Sequence, residues 1–446
     1  MNDLDYVLDA IHDVCQNSEK YVIGNHFTDQ SSLSLADWAT FLSFKEDRTL
    51  QSDIENYITK YKPEVEIPSK QFVSYQRSFI EPVLFQDINK KYLELIDYKN
   101  DNETFKTFKG FRLCSGDGSD FEIPDFPETR AEFNIKNTPK YRKPAMCKFS
   151  SIQDVLNGFI LDGIVANYKA AELPLIHQHL QNAKNMINMM KTIWTFDRGY
   201  PAMELYARII EMNSYFIVRL KKDSYKEERK NITEEDSPIS LNITGDRLKK
   251  FHDPELKNIY SKKWTMDLRI VTITTKNGEK YSLLTNIPQE VLGTKEIGEI
   301  YKLRWGIETN YNTMKNRIYI ENYSGKRRIC IEQDIYSKFL KFNLFHYLKI
   351  KFNKLIKNKK EQIGDYRTYQ VDQANLIRNI KDKLLLILHS TSRKIREKLV
   401  KNFHKSCMRY PNRVKKKQNN TQKEKTTQMF QHPIPTNINN KQKTRK

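Results

Sequence analysis

Residues 301–317 read YKLRWGIETNYNTMKNR and set four different functional groups at offsets 0, 3, 7 and 14: Tyr301, Arg304, Glu308 and Lys315. At about 100° per residue these positions fall within roughly 60° of one another on an α-helix. A carboxylate on such a stripe can hold a metal ion while its cationic neighbours hold phosphate. The same spacing also describes a solvated helix face with an Arg304–Glu308 pair at i,i+4. Two aspartates add to the carboxylate. Asp117 lies in an Asp-Gly-Ser run at the tip of an expected Cys114–Pro124 hairpin, where Asp-Gly is also an ordinary turn signal. Asp197 closes the apolar run MKTIWTF and precedes Arg-Gly-Tyr-Pro. An acid near a helix N-terminus would account for it, but open α/β sheets also keep their sites at the C-terminal ends of strands. Three converging carboxylates are hard oxygen ligands of the kind that suit Mg²⁺ or Mn²⁺. Two such ions about 3.5–4 Å apart could activate a water or a 3′-hydroxyl and steady the leaving oxygen. No Gly-rich phosphate loop of Walker type is present, which argues against a nucleotide-driven motor.

These residues need elements to position them. Residues 1–105 read as helical, with Ser34 capping LADWATFLSF and Ser69 capping KQFVSYQRSFIEPVLF. Pattern alone allows either a DNA-binding module or a plain structural bundle. FKGFRLCSGDGSDFEIP reads as strand, Asp-Gly turn, strand. Residues 152–190 read as helical, with a long amphipathic stretch from Leu173 to Met190. MKTIWTF, then PAMELYARIIEM, then YFIVRL spell strand, helix, strand. That is a βαβ unit, so part of the sheet should be parallel. The charged segment 222–263 interrupts this pattern and reads as an insertion. WTMDLRIVTITTKNGEKYSLLTNIP gives two strands about the Asn277-Gly278 turn. The 301–317 helix follows, with further helices at 333–356 and 373–403. From about Pro411 the composition collapses to Lys, Asn, Gln and Thr, with ten basic residues and one acid. That tail is expected to be disordered and to make non-specific phosphate contacts.

The 446-residue chain has Lys plus Arg 76 against Asp plus Glu 55, a net charge of +21. Such a surplus favours a polyanionic partner, most often nucleic acid. No run of about 18 apolar residues exists, so no membrane span is expected. The acidic, amphipathic start MNDLDYVLDAIHDVC reads against a secretory signal. Cys15, Cys114, Cys147, Cys330 and Cys407 are scattered and odd in number, which points to a reducing compartment and away from structural zinc.

The chain resembles the DDE transposases of bacterial insertion sequences, in the subgroup marked by Tyr-(2)-Arg-(3)-Glu-(6)-Lys. Tyr301, Arg304, Glu308 and Lys315 satisfy that spacing without a gap. Asp117-Gly118-Ser119 matches the subgroup's DG[ST] and Asp197-Arg198-Gly199-Tyr200 its DRG[FY]. YSLLTNIP at 281–288 is similar to the strand before the glutamate helix. The likeness covers roughly residues 65–350. It implies an α/β fold: a ribonuclease H-like core interrupted by a β-rich insertion, with helical N- and C-terminal regions. The parts would be a helical region at 1–105, core at 106–221, insertion at 222–263, core with the Glu helix at 264–350, a C-terminal helical region at 351–410 and the basic tail at 411–446. It implies Asp117, Asp197 and Glu308 as catalytic ligands of Mg²⁺ or Mn²⁺, two ions in number. Tyr301, Arg304, Lys315 and Arg198 would hold DNA phosphates. The implied activity is cut-and-paste transposition: 3′-end cleavage at terminal inverted repeats, a hairpin intermediate and strand transfer into target DNA. A homodimer in the synaptic complex and a bacterial cytoplasmic, nucleoid-associated location are also implied. In some relatives a tryptophan of the insertion stacks on a flipped base; Trp264 is a candidate by type, though a core position is the reading its residue class favours. Two rivals remain: a metal-dependent nuclease of the same fold, and a catalytically inactive DNA-binding descendant.

Overall fold

The computed structural model describes residues 3–28, 31–46, 48–100, 103–136, 144–230 and 232–414. Most of the expected tail therefore lies outside the described residues. The chain begins with α1 (Asp5–Cys15), α2 (Leu35–Phe44), α3 (Leu50–Tyr61), α4 (Lys70–Gln76) and α5 (Val83–Leu95). β1 (Arg112–Glu122), α6 (Pro127–Glu132), β2 (Met146–Asp154) and β3 (Ile160–Asn167) follow. Then come α7 (Glu172–Ala183), β4 (Thr192–Phe196), α8 (Met203–Glu211) and β5 (Tyr215–Arg219). The charged segment holds α9 (Lys226–Arg229), β6 (Asp236–Asn242), α10 (Gly245–Leu248) and α11 (Pro254–Tyr260), and leads into β7 (Thr265–Thr274) and β8 (Lys280–Thr285). α12 (Thr294–Leu303), α13 (Gly306–Thr313) and a π-helical turn (Met314–Ile318) come next. The described chain closes with α14 (Arg328–Gln362), β9 (Tyr369–Gln370), α15 (Gln373–Leu388), α16 (Arg393–Cys407) and β10 (Asn412–Arg413).

Two compact units emerge: one of Met1–Leu95, Phe121–Cys147 and Met314–Lys446, the other of Ile96–Asp120 and Lys148–Thr313. The second unit is built on a mixed sheet of order β3-β2-β1-β4-β5-β8-β7-β6. β1 pairs parallel with β4, and β4 parallel with β5. β5–β8, β8–β7 and β7–β6 are antiparallel. β2 and β3 are neighbours joined only by residues 155–159, so they run antiparallel. The order β3-β2-β1-β4-β5, with β1, β4 and β5 parallel, is the ribonuclease H-like core. The central strands read as apolar runs because both faces are covered, as for Thr192–Phe196, which is buried throughout. On one face α12 lays Ile297, Ile300 and Tyr301 against Leu113, Ile193, Ile217, Val271 and Leu283. The charged segment is tied to this helix. Asp236 of β6 takes a bidentate pair from Arg269 of β7 (2.6 and 2.5 Å) and a hydrogen bond from the hydroxyl of Thr294 at the start of α12.

The first unit is helical around α14, which packs on α2 and α5. Nearly every residue from Cys330 to Leu348 is buried, so this stretch has no solvated face. Its central acid is paired. Asp334, fully buried, meets Arg77 at 3.1 Å and Lys45 at 3.6 Å and accepts from Ser324. Arg77, equally buried, also donates to Gln333, Ser324 and the Cys330 carbonyl.

Several local readings hold. Ser34 caps α2 in a reciprocal capping box with Asp37. Ser69 caps α4, and Gly278 takes φ +80° between β7 and β8. Others are corrected. The Ser69 helix stops at Gln76 and, after a 3₁₀ turn (Arg77–Phe79), resumes only beyond Pro82, which has no N–H to continue it. Residues 373–403 form two helices, the second capped by Ser392. Residues 152–167 are strand, not helix: β2 and β3 flank an Asn157-Gly158 turn, with Gly158 at φ +82°. Asp117 is not at a hairpin tip, because β1 runs unbroken through the Asp-Gly. The 301–317 segment is not one helix either. The break falls at Arg304–Trp305, and Gly306 opens α13 close to the β2–β3 turn, where a Cβ would lie a tight 3.1 Å from the Val155 carbonyl oxygen.

Candidate active site

The parallel strands set the site. β1 and β4 pair with Ser115 opposite Thr195. Two residues further along each chain come Asp117, still in β1, and Asp197, the first residue beyond β4. Their charges act on one another: Asp197 raises the Asp117 carboxyl. β4 and β5 pair with Phe196 opposite Val218, so the next step along brings Arg219 beside Asp197. The C-terminal edge of three parallel strands therefore carries Asp117, Asp197 and Arg219.

Glu308 reaches this edge from α13. Tyr311 donates to the Asp117 carbonyl at 2.7 Å and sits 2.9 Å from Ser151 Oγ. Asn310 donates to Gln153 at 2.8 Å. Those two anchors fix α13 on β1 and β2, and so fix where Glu308 points. Arg304, in the joint between α12 and α13, bridges the acids, with Nη2 3.1 Å from Glu308 Oε1 and Nη1 3.8 Å from Asp117 Oδ2. Its guanidinium also lies 5.9 Å from the Tyr301 ring, which sits 5.9 Å from Tyr281, whose other neighbour is Arg219 at 4.8 Å. The result is a wall of two neighbouring tyrosine rings flanked by two guanidinium groups beside the carboxylates.

Asp117, Asp197, Tyr301, Arg304 and Glu308 thus share one unit and one sheet edge. Lys315 falls in the other unit, in the π-helical turn, with its ammonium 3.5 Å from Glu321 and 5.0 Å from the Phe121 ring. The single-helix stripe expected for it does not form. Arg198 is exposed next to Asp197, whose Oδ1 accepts the Gly199 N–H at 2.6 Å. Trp264 is 91% exposed, which overturns the core reading. Two residues were missed. Arg219 was hidden because only strand register brings it here. Glu172 opens α7, accepts from Tyr200 (2.7 Å) and Lys148 (3.1 Å), and acts on Asp117. An acid in a first helical turn is so ordinary that no sequence signal marks it.

The Asp117 carboxyl is pushed up to about 6, chiefly by burial. Asp197 and Glu172 push the same way, while the Gly118 N–H and Arg304 oppose. Among the described residues no three acidic, imidazole or thiol side chains stand close enough to hold one ion. In this structure Arg304 supplies the counter-charge to Asp117 and Glu308. A buried carboxylate raised by like charges is what a bound cation relieves, and hard oxygens are the donors Mg²⁺ and Mn²⁺ take. The donor chemistry of Asp117, Asp197 and Glu308 suits that group, while the placement of their side chains here is the one Arg304 sets. A rival chemistry is sealed off: Ser150, His179 and Asp162 form a hydrogen-bonded series (3.0 and 2.6 Å), but all three are buried, so the series ties β2, β3 and α7 together and meets no substrate.

A family model described as "Transposase DDE domain" matches residues 110–344. "Transposase InsG for insertion sequence element IS4" of Escherichia coli (strain K12) is 25% identical over 259 residues, 56% of this chain and 54% of that protein. "Transposase for insertion sequence element IS231E" of Bacillus thuringiensis subsp. finitimus is 30% identical over 94 residues, 21% of this chain and 20% of that protein. The chain thus spans about half the length of the first relative and a fifth of the second. Among solved structures, a piggyBac transposase synaptic complex with hairpin DNA aligns over 94% of this chain and 85% of that one, at 10% identity and a TM-score of 0.40, too loose to fix a fold. No described helix is long and apolar enough to cross a membrane.

Proposed function

The chain belongs to the transposase DDE domain family, and we propose that it is the transposase of a bacterial insertion sequence, cutting 3′ ends at the element's terminal repeats and joining them to target DNA. The observation that carries this reading is the parallel β1–β4 register ending at Ser115–Thr195, two residues before Asp117 and Asp197, with Arg304 bridging Asp117 and Glu308. Asp117, Asp197 and Glu308 would hold two ions. Mg²⁺ or Mn²⁺ bound there supplies Lewis-acid stabilisation of phosphoryl oxygens and lowers the pKa of an attacking water or 3′-hydroxyl.

The chain's own residues do the rest. Arg304 neutralises Asp117 and Glu308 before substrate arrives, and its planar fork can then turn to a DNA phosphate. Arg219 and Tyr301 line the adjacent wall and orient the strand. Tyr311 and Asn310 keep α13 from drifting, which matters because a 1 Å error at the reacting centre costs about a hundredfold. Arg198 and Lys315 add phosphate contacts, and the exposed indole of Trp264 offers a face for a base. The working form is a homodimer on paired element ends, acting on the bacterial chromosome.

The test is a gel assay of nicking and joining with labelled end DNA in Mg²⁺ and in Mn²⁺. Asp117→Ala, Asp197→Ala and Glu308→Ala should each lose both steps by orders of magnitude while still binding end DNA. The double variants should be little worse, because such residues act as a unit. A folded Asp117→Ala protein that cleaves near the wild-type rate would sink the triad. Nicking without any joined product would make the protein a nuclease instead.

A further inference from the structure

α16 has the sequence RKIREKLVKNFHKSC. Lys394, Lys398, Lys401 and Lys405 stand at offsets 0, 4, 7 and 11, and at about 100° per residue they fall within roughly 60° of one another. All four are exposed. Phe403 and Cys407, the two buried residues of the helix, lie on the opposite side, about 180–220° round. One face packs and the other carries only lysine. The helix has a single acid, Glu397, and it pairs with Arg393 at 3.1 Å. Among the described residues the four lysines form no ion pair.

A merely solvated basic helix ordinarily interleaves acids at i,i+4, because like charges at that spacing are destabilising. This stripe instead holds Lys394 against Lys398, Lys398 against Lys401 and Lys401 against Lys405. It runs for about 16 Å at 1.5 Å per residue. Duplex DNA presents about one negative charge per 1.7 Å of axis, so a stripe of that length faces many phosphates. Only a dense polyanion relieves all three repulsions together. We infer that the lysine face of α16 is a docking surface for the phosphate backbone of duplex DNA, independent of base sequence and separate from the carboxylate edge. The choice of DNA over another polyanion rests on the transposase reading.

The experiment uses the full chain with EDTA and a fluorescent 30-base-pair duplex of random sequence, followed by anisotropy from 50 to 300 mM KCl. Lys394→Gln/Lys398→Gln/Lys401→Gln/Lys405→Gln should bind about 10- to 100-fold more weakly at 100 mM salt. Its slope of log K against log [salt] should be shallower by about 2–4, since each lost phosphate contact removes about 0.9. Replacing the same four by Arg should restore both. A charge-matched control, Lys60→Gln/Lys70→Gln/Lys99→Gln/Lys169→Gln, removes four exposed, scattered lysines and should change little. Circular dichroism verifies the helices of each. The inference is overturned if the stripe variant keeps the wild-type slope, or if the control loses as much. Lost binding to phosphatidylserine vesicles with DNA binding intact would likewise overturn it and assign the face to a membrane surface. Nicking and joining by the wild type is scored in parallel. A wild type that never cuts, yet shows the stripe effect, refutes the transposase reading and leaves the stripe standing; a wild type that cuts with an unaffected slope does the reverse.

Discussion

Replacing Asp117 by Asn should stabilise the protein and abolish its chemistry. In the folded chain the carboxyl is pushed from 3.8 up to about 6. A shift of about two units at 1.36 kcal/mol each sets an upper bound near 3 kcal/mol for the cost of carrying the charge. The side chain retains 23% exposure, and solvent screening reduces the expected gain to about 1–2 kcal/mol. The sign follows from proton counting. Between pH 4 and 6 the folded state holds a proton that the unfolded chain has released, so wild-type stability falls as pH rises through that window. Above it the full penalty applies; below pH 4 both states are protonated and it vanishes. Asparagine keeps an oxygen for the Gly118 N–H, which Asp117 accepts at 2.9 Å, and never ionises. The difference between variant and wild type should therefore grow from near zero at pH 4 to its plateau above pH 7. Urea denaturation in EDTA at pH 4.5, 6 and 7.5 measures it. Adding Mg²⁺ should stabilise wild type more than the variant, because the ion binds the folded state through the carboxylate just removed. A variant no more stable than wild type at pH 7.5, or a difference independent of pH, refutes the reasoning.

Three further outcomes follow from the geometry. Asp334→Ala should cost about 3–5 kcal/mol in urea denaturation, because it strands the buried Arg77 guanidinium and Lys45 ammonium; Arg77→Met/Asp334→Leu, which leaves Lys45 alone without its acid, should cost less than the single change. Gly306→Ala forces a Cβ to within 3.1 Å of the Val155 carbonyl oxygen. The shift needed is a few tenths of an ångström, which should lower nicking by about three- to tenfold with DNA binding intact, and wild-type nicking by the alanine variant would contradict the anchoring role given to that contact. Trp264→Ala should leave the thermal midpoint unchanged, since the indole is 91% exposed, and weaken binding of an end duplex carrying an unpaired base by about 1–3 kcal/mol, as anisotropy would show.

What the sequence disclosed and what it concealed divide by range. Signals that act within a few residues were legible: the Ser34 and Ser69 caps, the Asn277-Gly278 hairpin and the β4–α8–β5 unit. Yet a short-range signal predicts only when nothing distant overrules it. Asp117-Gly118 has the form of a turn and lies inside β1, which runs on to Glu122 as the neighbour of β2 in the sheet. Asn157-Gly158, the same kind of signal, does turn, and its flanking apolar residues were strands read as a helix. The spacing from Tyr301 to Lys315 matched a motif but not a helical stripe, since the helix breaks at Arg304–Trp305 and turns π-helical from Met314. Arg219 and Glu172 carry no local mark, and the Arg77–Asp334 pair spans 257 residues.

The carboxylate edge combines these ranges. Its motifs are readable because the chemistry demands residue types, while its geometry is not, because each acid is placed by a partner far away in sequence. Asp117 takes its level from a strand pair with Thr195 opposite Ser115, and Glu308 takes its position from Tyr311 reaching back 194 residues to the Asp117 carbonyl. Even the charged segment contributes: Asp236 of β6 holds Arg269 and Thr294, which seat the helix carrying Tyr301. Disturbing β6 should therefore loosen α12 and reach the site without touching a carboxylate. A site built this way is sensitive to packing as well as to its acids, which is why Gly306 and Tyr311 are expected to matter for cleavage although neither is one of the carboxylates.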